Sequence, residues 1–316
     1  MTDKLRRWLA EDFGLDVVAL EQVHEGADIA AEVWRAVGDA SYAVKWSGGG
    51  TDAGPRATAY LASRGVQGVP GPVRTLTGGL WSEREGRRLS VMPWIAGDRA
   101  ADTGLTLEQW TSYGVLLAAV HRAEPPAELR AVLPRINPIN ARMPDLARSV
   151  RARLATPSDA VEEELAAIWE AHDDLITAVL DQCADLGDRD LGGTPVLCHA
   201  DPHLANVLVT PEQLYLIDWD DVVLAPPEQD LLFILGGMGP IGPTTLDEQE
   251  AFFTGYGEVE LDPTRLAYYR SARAIEDFVG WSDYVLGGAP DRTDRVEVVR
   301  FILGPDGLAL RALASD

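Results

Sequence analysis

The segment Val196–Trp219 carries four polar side chains whose types and order suit phosphoryl transfer to an alcohol. His199, Asp201 and Asn206 follow one apolar run, and Asp218 ends a second one. Such a transfer needs a carboxylate beside the acceptor hydroxyl, oxygen ligands for Mg2+ and a cation for the nucleotide phosphates. One short loop can present Asp201 and Asn206 to the same space. The pattern predicts an ATP- and Mg2+-dependent kinase of a small molecule.

Each polar side chain of this segment has a predicted role that follows from its chemistry. Asp201 is the predicted catalytic residue, which accepts the hydroxyl proton or orients the hydroxyl. Asn206 and Asp218 are the expected Mg2+ ligands, because this ion favours oxygen ligands and keeps several waters. His199 is expected to brace the loop through hydrogen bonds. For His203 both loop bracing and a phosphate contact are open.

A lysine far upstream supplies the cation. Lys45 lies on the third of three strand-like runs, the position from which a lysine reaches the α- and β-phosphates. Kinases of this type normally carry a glutamate on the following helix to aim this lysine. Here Asp52 is the only acid of residues 47–80. Lys45 is therefore expected to be held by Asp52, by Asp218 or only by the bound nucleotide.

The elements that must position these groups begin with an N-terminal antiparallel sheet and one helix. Apolar alternation and turn residues separate the strand-like runs, and Pro55 introduces the helix. The predicted helices are Lys4–Glu11 and Arg56–Ser63, and the predicted strands are Val17–Val23, Glu32–Val37, Ser41–Trp46, Pro72–Leu76 and Arg88–Trp94.

The remainder of the chain is mostly helical in its periodicity. The predicted elements are helices at Leu105–Arg122 and Asp159–Cys183 and short strands around Val196–Cys198, Val207–Val209 and Leu214–Ile217. A hinge is expected between Pro93 and Gly104. The predicted fold class is α+β, with a nucleotide-binding lobe of residues 1–95 and a catalytic and substrate-binding lobe of residues 96–316.

Composition and charge exclude several classes of partner. The chain has 316 residues, 46% of them hydrophobic, and a formal net charge of −23. This length suits two lobes with a sizeable core. Nucleic-acid binding would need clustered Lys and Arg, whereas this charge attracts cations. Two cysteines are too few for a disulfide framework or a zinc site, and no signal-like or long apolar segment occurs. A cytoplasmic protein without membrane contact is expected.

The polar segment resembles the aminoglycoside phosphotransferase and choline kinase superfamily. The loop of that superfamily reads His-x-Asp-x-His-x-x-Asn, and its metal site reads Ile-Asp-Trp or Ile-Asp-Phe. Further similar segments are Gly114-x-Leu-Leu-Ala-x-x-His121, Pro227-x-x-Asp230-Leu and Val91-Met-Pro-Trp-Ile-x-Gly97. The segments 225–231 and 268–278 look most like the spectinomycin phosphotransferase branch.

The resemblance implies a two-lobed, protein-kinase-like fold that binds ATP between its lobes. It implies that Asp230 braces the catalytic loop and that residues 25–29 form the nucleotide loop. The residues implied in nucleotide binding are Lys45, Gly26, Ala27, Met92, Trp94 and Ile95.

The resemblance also implies an aminoglycoside or aminocyclitol such as spectinomycin as the acceptor, with antibiotic resistance as the biological role. Glu276, Asp277 and Trp281 are the candidate contacts to this cationic small molecule; an exposed helix face is the other interpretation of the two acids. Residues 158–190 contain eleven acids and one base, which form either a solvated face or an acidic wall of the substrate site.

Two other functions stay open. The first is the same reaction on choline, homoserine, a methylthioribose-like sugar or a macrolide. Choline would need an aromatic cage, which Trp281 and Tyr284 could form if they are not core residues. The second is a nucleotide-binding pseudokinase, which the absent helix glutamate suggests. A non-catalytic domain, however, has no need of the complete polar segment.

Overall fold

The N-terminal part of the chain, in a computed structural model, is an antiparallel sheet with the strand order β1-β2-β3-β5-β4. The structure describes residues 1–23, 31–49, 51–135, 142–236 and 245–314. The strands are β1 (Val17–Val23), β2 (Ala31–Gly38), β3 (Ser41–Ser47), β4 (Ser82–Arg84) and β5 (Arg87–Pro93). Lys45 on the central strand β3 pairs with Val33 of β2 and Ser90 of β5.

Two helices belong to this part, α1 (Thr2–Phe13) and α2 (Ala53–Ser63). The apolar side chains of α1 recur at helical spacing, and Leu5, Trp8 and Leu9 are buried in one cluster with Trp46 of β3. The rings of Trp8 and Trp46 lie 5.4 Å apart. Burial of this apolar stripe fixes α1 on the sheet that carries Lys45.

The remainder is mostly helical and contains two small sheets, of orders β6-β8-β9 and β10-β7. The strands are β6 (Asp98–Arg99), β7 (Val196–Cys198), β8 (Val207–Val209), β9 (Leu214–Leu216) and β10 (Val223–Ala225). The helices are α3 (Ala100–Thr103), α4 (Leu107–His121), α5 (Ala127–Val132), α6 (Met143–Leu154), α7 (Ala160–Ala171), α8 (Asp173–Gly187), α9 (Glu228–Gly236), α10 (Leu246–Tyr256), α11 (Pro263–Leu286), α12 (Arg292–Leu303) and α13 (Leu308–Ala312).

Helices α4 and α10 pack with their backbones in contact, and two glycines make this possible. A Cβ added to Gly114 would lie 2.0 Å from the main-chain oxygen of Phe252, and one added to Gly255 would lie 1.9 Å from that of Thr111. This helix pair belongs to a large apolar cluster that also includes α2 and the strands β7, β8 and β9. A second cluster joins α6, α7, α8 and α11 to α13.

The predicted N-terminal antiparallel sheet with its helix, and the helical remainder, are confirmed. Two predicted elements were wrong. Pro72–Leu76 is not a strand: Pro72 has no N–H to donate, and although the Val73 N–H bonds to Val91 at 2.8 Å, the Thr75 and Leu76 N–H groups bond to Gly79 and Asp12 and not to a neighbouring strand. Asp159–Cys183 is two helices, α7 and α8, because the chain breaks at His172 (φ −118°, ψ 18°). Two acids then begin α8, where negative charge stabilises a helix N-terminus.

The linker between the two parts is short. The Trp94 N–H donates to the Ser41 oxygen at 2.9 Å, and four residues later Asp98 pairs with Val209 of β8. The predicted hinge region thus contains β6 and α3. We propose the division into residues 1–95 and 96–316 on this ground.

Within the ranges that the structure describes, no helix combines the length and the apolar character needed to cross a membrane.

Candidate active site

The loop between β7 and β8 presents Asp201 and Asn206 side by side. The Asn206 Nδ2 donates to the Asp201 carboxylate Oδ2 at 3.0 Å and to the Asp201 main-chain oxygen at 2.9 Å. A 3-10 turn at Leu204–Asn206 brings the two side chains together, and the His203 Nδ1 accepts from the Ala205 N–H at 3.2 Å to begin that turn. The amide nitrogen is committed to Asp201, so the amide oxygen is available to a cation.

Asp230, in the first turn of α9, holds the backbone of this loop. Its Oδ2 accepts from the His199 N–H at 2.8 Å, and its Oδ1 accepts from the Ala200 N–H at 2.7 Å. Ala200 has a φ of 72°, in the left-handed region that non-glycine residues rarely adopt. The same carboxylate contacts His121 Nε2 at 2.9 Å, and His121 Nδ1 contacts the Tyr256 hydroxyl at 2.7 Å. Asp230 thereby connects the strained loop to α4 and α10.

His199 is fully buried and bonded at both ring nitrogens. Nδ1 accepts from the Asp201 N–H at 3.2 Å, so Nε2 carries the proton that it donates to the Ile217 oxygen at 2.9 Å. Burial lowers the pKa of His199, and its ring packs 4.6 Å from that of Trp219. A neutral, doubly bonded imidazole of this kind suits the predicted role as a loop brace.

The Asp201 carboxylate lies between an arginine and a histidine. Arg273 Nη1 donates to its Oδ1 at 2.7 Å, and His203 Nε2 lies 3.3 Å from its Oδ2. Burial alone would raise the pKa of Asp201, but Arg273 and His203 outweigh it and hold the pKa well below the usual value of an aspartate. Asp201 is therefore ionised at neutral pH.

Arg273 is a component that the sequence analysis missed. It lies on α11, and its Nε is 3.0 Å from Oδ1 of Asp277, one helical turn further on. Its guanidinium carbon lies 5.4 Å from the ring centroid of Phe233 on α9. An arginine four residues before an acid on the same helix face was the visible signal, but nothing in the sequence relates α11 to Asp201.

Lys45 reaches from the central strand β3 to the loop that follows β9. Its Nζ lies 3.4 Å from Asp218 Oδ1 and makes a shorter contact with Asp220 Oδ2. Of the three predicted partners, Asp218 is in contact. Asp52 forms an ion pair with Arg56 at 2.7 Å. Asp220 is a second residue that the sequence analysis missed, although its acid was visible two residues after Asp218.

The position of α2 explains how Asp220 comes close to Lys45. A Cβ added to Gly54 would lie 2.5 Å from the main-chain oxygen of Trp219. The first turn of α2 therefore sits directly on the backbone between Asp218 and Asp220. The loop after β9 thus supplies Asp220, the acid that contacts Lys45, whereas α2 itself contains no acidic residue.

Asn206 and Asp218 are the residues that could hold a Mg2+ ion. The Asn206 amide oxygen is available because its nitrogen bonds to Asp201, and the Asp218 side chain is 54% exposed. Asp218 has a φ of 60°, a strained conformation at the end of the strand segment. Two oxygen donors with room for water and phosphate oxygens fit the preference of Mg2+.

The predicted nucleotide contacts fall into two groups. Gly26 and Ala27 lie outside the described residues. Met92 pairs with Ala43 at the end of β5, and Trp94 and Ile95 follow it in the linker with half-buried side chains. Their position at the end of the sheet that carries Lys45 is compatible with the predicted adenine contact, which stays a prediction.

Glu276 and Asp277 are half-buried and interact electrostatically with Asp201, so they are not a plain exposed face. The Asp277 side chain is 13% exposed and contacts Arg273. Burial raises the pKa of Glu276 to about 8, despite Arg273 nearby. Burial and the neighbouring Asp201 raise the pKa of Asp221 to about 6. Three carboxylates besides Asp201 thus concentrate negative charge in this region. A cationic ligand group would offset the repulsion between them.

Trp281 has a different environment. Its ring packs 5.7 Å from that of Tyr284, and the Arg295 guanidinium lies over its face at 4.7 Å. A cation of the chain itself thus covers this ring, and the structure gives no contact between Trp281 and Asp201. As a substrate contact Trp281 stays a prediction that the geometry does not support.

The acid-rich stretch 158–190 forms α7 and α8. Several of its acids pair with arginines of neighbouring helices: Asp159 with Arg292, Glu162 with Arg153, Glu164 with Arg300 and Asp173 with Arg151. These pairs favour the solvated face over an acidic wall of the substrate site.

Comparison with known proteins adds three findings. Residues 55–269, more than half of the chain, match APH, the phosphotransferase enzyme family. Spectinomycin phosphotransferase APH(9)-Ia, solved in complex with ADP and spectinomycin, is 26% identical with a TM-score of 0.87, over 99% of this chain and 98% of that chain. Protein StrN of Streptomyces griseus is 32% identical over 157 residues, which are 44% of this chain and 46% of that protein.

A choline/ethanolamine kinase family protein from Mesorhizobium loti shares the fold, at 18% identity, with a TM-score of 0.60 over 98% of both chains. Together with the full-length similarity to APH(9)-Ia, this confirms the predicted α+β, kinase-like fold class. The chain spans about half of the length of StrN.

Proposed function

The chain is a phosphotransferase of the APH family, and we propose that it transfers the γ-phosphoryl group of ATP to a hydroxyl of a cationic aminocyclitol of the spectinomycin class. Family membership confirms the predicted resemblance and the predicted enzyme class. The observation that carries the substrate proposal is the group of half-buried carboxylates on α11 and after β9, which interact electrostatically with Asp201.

The proposed reaction assigns a defined task to each residue. The acceptor oxygen attacks the γ-phosphorus, the bond from that phosphorus to the bridging oxygen breaks, and ADP leaves. The hydroxyl proton passes to the Asp201 carboxylate. Oδ2 is contacted by both Asn206 and His203, whereas Oδ1 accepts one hydrogen bond, from Arg273, and keeps a second lone-pair direction for the hydroxyl. In a loose transition state the proton leaves late, so the main task of Asp201 is to orient the attacking oxygen.

Lys45 would contact the nucleotide phosphates, held in place by Asp218 and Asp220. Asn206 and Asp218 would hold Mg2+, which would neutralise charge on the phosphates when bound. His199 and Asp230 keep the loop in its strained conformation, so that Asp201 needs no rearrangement during the reaction.

The substrate class follows from charge and from similarity. A ligand with ammonium groups would stabilise the ionised forms of Glu276 and Asp221, whose pKa values the protein raises to about 8 and about 6. The solved phosphotransferase that matches this chain over nearly its full length was crystallised with spectinomycin and ADP. On the same basis we propose antibiotic resistance as the biological role, in the ATP-containing cytoplasm.

The experiment that tests the proposal is Mg2+-dependent ADP release with spectinomycin, other aminocyclitols, aminoglycosides, choline, homoserine and a macrolide as acceptors. Asp201→Asn is the blank, since its amide accepts no proton. Asp174→Asn, which changes an exposed acid of α8, is the matched control. We expect turnover with spectinomycin that Asp201→Asn lowers by at least about 100-fold and Asp174→Asn leaves unchanged.

The other outcomes identify the alternatives. Turnover with only choline or another alcohol would keep the reaction and replace the acceptor. The Arg295 guanidinium over Trp281 disfavours an aromatic cage for choline. Nucleotide binding without turnover on any acceptor would favour a pseudokinase, against which the contact of Lys45 with Asp220 argues.

A further inference from the structure

A continuous chain of charged side chains runs from α11 to the catalytic loop. Asp277 Oδ1 lies 3.0 Å from Arg273 Nε, and Arg273 Nη1 donates to Asp201 Oδ1 at 2.7 Å. The side chains of Arg273 and Asp277 are each 13% exposed, and that of Asp201 is 20% exposed. Two carboxylates therefore contact one guanidinium, Asp201 through a hydrogen bond and Asp277 through an ion pair.

The aromatic ring of Phe233 packs beside this series of charged side chains. The guanidinium carbon of Arg273 lies 5.4 Å from the ring centroid of Phe233, and the His203 ring lies 6.3 Å from the same ring. Phe233 thus packs beside both side chains, Arg273 and His203, that flank the Asp201 carboxylate. It belongs to α9, the helix that also binds the loop backbone through Asp230, so one helix supports the loop through its backbone and its side chains.

We propose that Arg273 is a positioning residue for the Asp201 carboxylate, and that Asp277 holds Arg273 rather than the substrate. This inference rests on the proposed function, which places the acceptor hydroxyl at Asp201. It changes the expected role of Asp277 and leaves Glu276 as the acid of α11 that would face a substrate cation.

The physical reason is that hydrogen bonds hold both oxygens of the Asp201 carboxylate. Arg273 holds Oδ1 and Asn206 holds Oδ2, so the plane of the carboxylate cannot rotate. The planar guanidinium is itself held by Asp277, and a fork with fixed donor directions loses little entropy per bond. Near-attack geometry tolerates little displacement, so the loss of one fixed point acts on the rate and not on nucleotide binding.

The test uses four variants of the full chain. Arg273→Met removes the charge and the fork, Arg273→Lys keeps the charge, and Asp277→Asn removes the support. The matched control is Arg265→Met. Arg265 lies on the same helix, is 16% exposed and pairs with the buried Glu228 at 2.8 Å, so its loss leaves a comparable unpaired carboxylate.

The first measurements are kcat and KM with spectinomycin and Mg-ATP, the Kd of a non-hydrolysable ATP analogue, and Tm. We expect Arg273→Met to lower kcat about 100-fold with the analogue Kd within about twofold of wild type. Arg273→Lys should recover part of kcat, and Asp277→Asn should lose less than Arg273→Met. Arg265→Met should lower Tm and keep kcat. A rise in the spectinomycin KM at constant kcat would overturn the proposal, because it identifies Arg273 as a substrate contact.

A second readout needs no acceptor. Hydrogen exchange of residues 199–206 in the full-length protein should be faster in Arg273→Met and Asp277→Asn and unchanged in Arg265→Met. Equal exchange in all variants would overturn the positioning role. If wild-type protein turns over no acceptor, the proposed function fails while this measurement still decides the role of Arg273.

Discussion

Replacement of Asp220 by asparagine tests how Lys45, the proposed nucleotide contact, is oriented without a glutamate on α2. The substitution keeps the size of the side chain and removes the charge that contacts Lys45 Nζ. Lys45 is 22% exposed and Asp220 is 30% exposed, so the pair is only partly shielded from water. Asp218 remains as a second carboxylate at 3.4 Å, so the lysine keeps one of these two anchors.

The magnitude follows from these contacts. A hydrogen bond to a charged group contributes about 1.5–3 kcal/mol. Partial exposure and the remaining Asp218 reduce this value, so we expect a loss of about 1–2 kcal/mol, a factor of about 5–30. This loss should appear in kcat/KM for ATP, measured as acceptor-dependent ADP release.

The matched control is Asp52→Asn. It makes the same chemical change in the half-exposed acid that pairs with Arg56, and kcat/KM should stay within about twofold of wild type. The reasoning is refuted if Asp220→Asn keeps kcat/KM and tightens the Kd of a non-hydrolysable ATP analogue. That result would mean that Asp220 competes with the phosphates for the lysine and does not aim it.

Three further predictions follow from the geometry. Lys45→Met should weaken nucleotide binding, and an unchanged affinity in a titration would remove Lys45 from the site. The fold raises the pKa of Glu276 from 4.5 to about 8, so the protonated form stabilises the folded state; this contribution is lost as pH rises from about 4.5 to 8. In urea unfolding, Glu276→Gln should therefore gain stability relative to wild type between pH 5.5 and pH 8.5, and parallel pH profiles would contradict this. Gly114→Ala should lower the free energy of unfolding by about 1–3 kcal/mol, because its Cβ meets the backbone of α10. Gly280→Ala, on α11 with no described atom within 4 Å of the added Cβ, should instead raise it by up to about 1 kcal/mol; the same sign for both would refute the packing argument.

The secondary structure around the catalytic segment was readable because it is local. The strands at 196–198 and 207–209 and the loop between them follow from apolar runs that surround a fixed spacing of polar residues. The helix break at His172 was not readable, because α7 and α8 bury their apolar side chains in the same cluster and the helical spacing of these side chains continues across the break.

The contacts to Asp201 and Lys45 likewise divide into local contacts, which the sequence indicates, and contacts between distant residues, which it does not. Asp201 and Asn206 are five residues apart, and their mutual hydrogen bond is a property of one turn. Arg273 is 72 residues from Asp201, and Asp220 is 175 residues from Lys45. Both were charged residues like many others in the sequence until the fold placed them.

The amino-acid sequence alone determined the reaction class, because the residue types that phosphoryl transfer needs lie within one short segment and one strand. Only the tertiary structure decided which charges hold them. Electrostatic interaction depends on distance in space and on burial, and for groups on separate elements neither is set by their separation along the chain. The acid that faces Lys45 comes from a loop because Gly54 lets α2 sit on that loop, and the arginine at Asp201 comes from α11 because that helix packs beside the catalytic loop.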